Sequence, residues 1–142
     1  MAIFGFGATY DGEDVSDRFV AAGMACVGWS EDDAPPLHNI LRHIKIGDIV
    51  FLKSFAPQVG LTIKAVGIVT GREPVEREHL GWGVPVRWVW QGEERIGQLE
   101  DKYPVRSITL FEEYNPTVQE HVIELLLAGE TRRRQAGGAS TR

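Results

Sequence analysis

Aromatic and hydroxyl side chains stand where strands should end. Trp29 closes the apolar run "ACVGW" just before a polar loop, Ser54 and Phe55 close "DIVFLKSF", and Trp82 lies in "LGWGV" between Gly81 and Gly83. Rings at strand ends suit stacking on a ligand. For Trp29 and Trp82, packing in the core competes with this stacking role. The glycines beside Trp82 predict a flexible turn, where an exposed indole needs a partner. Trp88 and Trp90 of "VPVRWVW" differ: a period of two sets them on one face, where sheet packing is expected.

Other chemistry finds less support. Cys26, the single cysteine, sits in "GMACVGW" with no activating neighbour in sequence and reads as a buried structural thiol. His38, His43, His79 and His121 lack metal-ligand spacing, so no metal site and no cofactor is predicted. Glu31, Asp32 and Asp33 could serve acid–base work, but acids just ahead of a helix are expected to complement its dipole. "GFGATYDG" departs from the dinucleotide fingerprint, since Tyr10 stands where the third glycine belongs; strand packing is the expected role of its glycines. With no nucleophile and base in view, the chain is not expected to be an enzyme.

The elements that must carry these residues follow from periodicity. Strands are predicted at "AIFGFGATY", "MACVGW", Asp48 to Ser54, Leu61 to Thr70 and Val84 to Trp90, with a shorter one near Val105 to Leu110. "DVSDRFVAAG" reads as a short helix. "SEDDAPPLHNILRHIKIG" reads as a longer one, with prolines suited to a first turn and Leu37, Ile40, Leu41 and Ile44 as its apolar stripe. A last helix is capped by Asn115, has Pro116 at its first position and Val118, Val122, Leu125 and Leu126 on one face, and is expected to end before Gly129.

A length of 142 residues fits one domain, and 43% hydrophobic with 25% charged residues is ordinary for a globular protein. No apolar run approaches the roughly 20 residues that span a bilayer, and no basic segment precedes an apolar stretch at the N-terminus. A cytoplasmic protein with no membrane partner is expected. The net charge is −5, but the segment from Glu130 onward holds four arginines against one acid, so the body carries −8. Such a body argues against affinity built on many phosphate contacts. The polar, small-residue stretch "TRRRQAGGASTR" reads as a disordered tail.

In order and spacing, "VGW", a helix, "IKIGDIVFLKSF", "IKAVGIV" and "VPVRWVW" resemble the PUA-like superfamily, with its EVE and YTH branches nearest. The features that carry the resemblance are Trp29, the helix from Asp33 to Lys45, Gly47 and Asp48, Ser54, and Ala65 to Val69, within a match over residues 2 to 127. The resemblance implies an α+β fold: a small, mostly antiparallel β-barrel of PUA-like type with flanking helices over residues 1–129, followed by a disordered basic tail at 130–142. It implies a module that holds a flipped or unpaired modified base, methylated or hydroxymethylated, in an aromatic pocket. The partner would be DNA or RNA, with a nuclease or other effector as a candidate companion.

On that resemblance Trp29 and Trp82 form the stacking walls, and Ser54 and Phe55 reach the pocket rim. Thr9 and Tyr10 line it from the first strand, and Lys53, alternating to the other face, either reaches a phosphate or stays solvated. The alternative is a pocket that senses or sequesters a small nucleotide, nucleoside or other planar metabolite, since the acids of "WSEDDAPP" would repel a nearby phosphate.

Overall fold

A computed structural model describes residues 1–72, 74–77, 79–99 and 108–140. The described residues form nine strands and three helices: β1 (Ile3–Gly7), β2 (Thr9–Tyr10), β3 (Glu13–Asp14), α1 (Ser16–Ala22), β4 (Met24–Val27), α2 (Pro35–His43), β5 (Ile49–Ala56), β6 (Gly60–Val69), β7 (Val75–Arg77), β8 (Gly81–Gly97), β9 (Leu110–Glu112) and α3 (Pro116–Ser140). The architecture is mixed α+β, and its main sheet curls into a half-barrel. Strand order is β4-β8-β6-β5-β1-β9, with β7 also paired to β8, and β2 and β3 form a separate hairpin. All pairs are antiparallel except β1 with β5. Among the described residues, no helix is long and apolar enough to cross a membrane.

Alternation along the strands sorts the apolar residues into two clusters, one on each face of the sheet. Phe4, Phe6, Val50 and Leu52 join Phe19 of α1 and Leu41 of α2. On the other face Ile3, Ile49, Phe51 and Phe111 meet Val118 and Val122 of α3. Gly5 makes room for Phe51 and Phe111, which cross edge to face at 6.1 Å; a Cβ there would lie 2.5 Å from the Phe111 ring. This is the packing role expected of the first glycines.

Three expectations change. Trp88 and Trp90 do not share a face: Trp88 packs with the first cluster and Trp90 with the second. The pairing shifts between Val66 opposite Trp90 and Gly67 opposite Trp88, so Val89 is an inserted residue and the period of two breaks there. "LGWGV" is no turn, because Gly81 to Gly83 already belong to β8. Those glycines let β4 approach, and a Cβ on Gly83 would lie 2.1 Å from the Ala25 carbonyl oxygen.

Gly129 does not stop the last helix, which continues to Ser140 through residues read from sequence as a disordered tail. A Cβ on Gly129 would fall 2.2 Å from the Val89 carbonyl oxygen, so this glycine marks a close helix–sheet approach. The start of α3 is as expected, with Asn115 Oδ1 accepting from the amides of Thr117 at 2.9 Å and Val118 at 3.3 Å. Of the short strand expected at 105 to 110, residues 105 to 107 lie outside the described residues; β9 begins at Leu110.

Candidate functional site

Curling brings the finish of β1 and β5 against the finish of β4 and the start of β8. Between them lies a recess of about 440 Å³ lined by Thr9, Tyr10, Asp11, Gly28, Trp29, His79, Leu80, Gly81 and Thr109. A second recess of about 280 Å³ is lined by Gly7, Thr9, Lys53, Ser54, Phe55 and Thr109. Thr9 and Thr109 border both, so the two are adjacent. Six of the seven residues singled out in the sequence therefore line one or other of two adjacent recesses.

Trp82 is the exception. It lines a different recess with Glu31, His38, Arg42 and Pro74, and its ring meets the His38 imidazole edge to face at 6.5 Å. Trp29 and Trp82 do not face each other across one slot. Their link is indirect: buried His38 places Nε2 2.6 Å from the Trp29 carbonyl oxygen, which fixes the backbone under the indole. Trp29 itself stays 55% exposed at the edge of the larger recess.

The wall opposite Trp29 is the β2–β3 hairpin. Asp11 and Gly12 turn it with φ of 52° and 81°, the paired left-handed geometry of a tight hairpin that Asp-Gly favours. That dipeptide was the legible signal for this unpredicted element. Tyr10 pins the hairpin down: its hydroxyl donates to the Leu80 carbonyl at 2.6 Å, and its ring stands edge-on to Phe19 at 5.8 Å. A Cβ on Gly28 would sit 3.1 Å from the Tyr10 ring. Burial first, and the neighbouring Cys26 second, push the phenol well above its ordinary range. Tyr10 is thus a held wall whose hydroxyl is already engaged.

His79 had no sequence signal. It adopts φ 67° just before β8, a left-handed conformation that costs a non-glycine residue about 1–2 kcal/mol. The Leu80 amide donates to the Arg77 carbonyl at 3.1 Å, closing the turn that holds it. Among the described residues, Asp11 and His79 are the two non-glycine residues with positive φ, and both line the larger recess. Backbone strain of this kind gathers at binding sites.

The acids next to Trp29 do not cap α2. Asp33 Oδ2 accepts from the Ser30 hydroxyl at 2.9 Å, and Glu31 pairs with Arg42 in the last turn of the helix at 2.8 Å. They shape the loop that carries the indole. Asp48 is likewise structural: buried, it accepts from the amides of Ala2 at 3.0 Å and Lys45 at 2.8 Å, locking the entry to β5.

At the far end of β5, Lys53 projects on the Phe51 side, as alternation requires. It lies across Gly7, whose notional Cβ would be 3.4 Å from Lys53 Cε, and its ammonium sits 6.0 Å from the centre of the Phe111 ring. Burial pulls its pKa down to about 8. Cys26 is buried, and desolvation pushes its thiol up to about 12, partly opposed by Arg77. Among the described residues, no group of three or more His, Cys, Asp or Glu is placed to hold a metal ion.

Comparison with protein-family models and with curated proteins returns no match for the chain. Functional inference therefore rests on the site.

Proposed function

We propose that the chain is a non-catalytic reader of a modified base, methylated or hydroxymethylated, in DNA or RNA, with the base seated in the larger recess against Trp29. The observation that carries this reading is a 55% exposed indole held at the mouth of a recess of about 440 Å³ whose other walls are preformed. Stacking a base on such a ring is worth about 1–3 kcal/mol and needs no cationic surface, which suits a body of charge −8. His79 supplies a second ring at the recess. Thr9 and Asp11 supply hydroxyl and carboxylate acceptors for an exocyclic amino edge.

A methyl group adds only about 0.8 kcal/mol by burial, so selectivity must come from fit to the recess walls. Extracting a base from a duplex costs a few kcal/mol, and loosened or single-stranded sites should bind first. The similarity in residue order to EVE and YTH domains supports the same reading. One observation favours the alternative of a free planar metabolite: Asp11 lines the recess, and Glu31, Asp32 and Asp33 follow Trp29 after Ser30, acids that repel polyanions.

Tryptophan fluorescence on titration with modified and unmodified oligonucleotides, and with the free nucleosides, tests the proposal. Quenching selective for one modified oligonucleotide and abolished by Trp29→Ala is the expected result. Quenching by free ligands alone would transfer the recess to metabolites. No quenching by any of them would leave Trp29 without a ligand role.

A further inference from the structure

The outer part of α3, which the sequence reads as a disordered tail, carries Arg132, Arg133 and Arg134, and all three stand exposed on the helix. From 131 to 140 it has no acid. Glu130, the nearest acid along the helix, meets Arg87 of β8 at 2.8 Å. A molecule whose body carries −8 thus gathers three guanidiniums on one helical segment, where an anion meets attraction rather than repulsion.

Two ordinary roles for such a cluster do not fit. Cations complement a helix dipole from within the last turn, but α3 continues from Arg134 to Ser140 and its last turn holds no basic side chain. A lipid surface or a protein interface calls for large apolar side chains beside the arginines. The stretch "TRRRQAGGAS" has none. Exposed guanidiniums on a polar helix suit phosphates, which accept their hydrogen bonds at the molecular surface.

The direction of the helix relates the cluster to the larger recess. α3 runs antiparallel to β8: His121 lies 3.4 Å from Glu94, a Cβ on Gly129 would meet the Val89 carbonyl, and Glu130 pairs with Arg87. It therefore heads toward the start of β8, whose Gly81 lines that recess. We infer that the arginine segment of α3 holds the phosphate backbone of the strand whose base enters the larger recess. The inference rests on the base-reading proposal for what brings the strand, and on the helix alone for the contact. Successive helix positions point about 100° apart, so three adjacent arginines fan out and one or two phosphates is the expected count.

Anisotropy titration with fluorescein-labelled single-stranded DNA and RNA oligonucleotides, modified and unmodified, at several salt concentrations tests this. The variants are a triple change of Arg132, Arg133 and Arg134 to Gln, which matches arginine in helix propensity, and the same triple change to Lys, which keeps the charge. The Gln variant should bind oligonucleotide several-fold more weakly at low salt, with the log–log salt slope reduced in magnitude by about 0.7 to 1. Its melting temperature and its affinity for free nucleosides should match wild type, and the Lys variant should recover most of the loss. Unchanged oligonucleotide affinity and salt slope in the Gln variant overturn the inference and leave the base reading intact. Arginine-dependent binding that is indifferent to base modification and to Trp29→Ala upholds the backbone contact and removes the base reading. Arginine-dependent binding to vesicles containing phosphatidylserine, with none to oligonucleotides, overturns the inference in favour of a lipid surface.

Discussion

At the scale of single residues, exposure and hydrogen bonding separate side chains that can meet a ligand from those that hold the site. Trp29→Ala should abolish quenching by any recess ligand and shift the melting temperature by no more than about 2 °C, since an indole 55% exposed contributes little to the core. Trp82→Ala should leave recess binding within about twofold, because Trp82 lines another cavity. Tyr10→Phe removes the bond to the Leu80 carbonyl and should cost about 1 kcal/mol in urea denaturation.

Lys53 gives a prediction with a definite sign. Its folded pKa, about 8, lies below the roughly 10.4 of an unfolded lysine. Below pH 8 both states hold the proton, and the folded state bears the full cost of burying a charge. Between pH 8 and 10.4 the folded state sheds the proton first, so this cost is relieved as pH rises. Lys53→Met should therefore melt higher than wild type at pH 7, by roughly 3 °C once solvent screening is allowed for. The difference should shrink through this window and vanish only above about pH 10.4, as measured by paired thermal melts.

At the scale of elements, the sequence made most of the framework legible and hid the departures from regular period. Apolar alternation marks β1, β5 and β6, and Asn115-Pro116 marks the start of α3, because each signal depends only on local geometry. The faces of Trp88 and Trp90 depend on Val89, a bulge residue that no local pattern distinguishes. Gly129 looks like a stop because glycine ends many helices; its actual constraint, the Val89 carbonyl, comes from a strand forty residues away. Gly129→Ala should thus destabilise by about 1–3 kcal/mol despite alanine's better helix propensity, read out by urea denaturation. Of the site, Trp29 and the end of β5 were visible as strand-terminal residues. His79 was not, since its role depends on a left-handed turn that ordinary residues rarely adopt.

At the scale of the molecule, a body of charge −8 limits how nucleic acid can be held. Oligonucleotide affinity should fall with salt at a log–log slope of magnitude about 1, far from the steep dependence of proteins that neutralise many phosphates. Affinity measured at two salt concentrations checks it. Chain connectivity adds a final consequence. β5, β6 and β8 pair with strands nearby in sequence, whereas β1 joins β5 in parallel across more than forty residues and β4 joins β8 across more than fifty. Distant pairings are slow to form, because loop closure must precede any reward. The two adjacent recesses draw on residues near positions 9, 29, 54, 79 and 109, so they are complete only after those late steps. Partly folded chains will be blind to the ligand, and the rate at which ligand-sensitive Trp29 fluorescence returns in a refolding experiment will time the last event of folding.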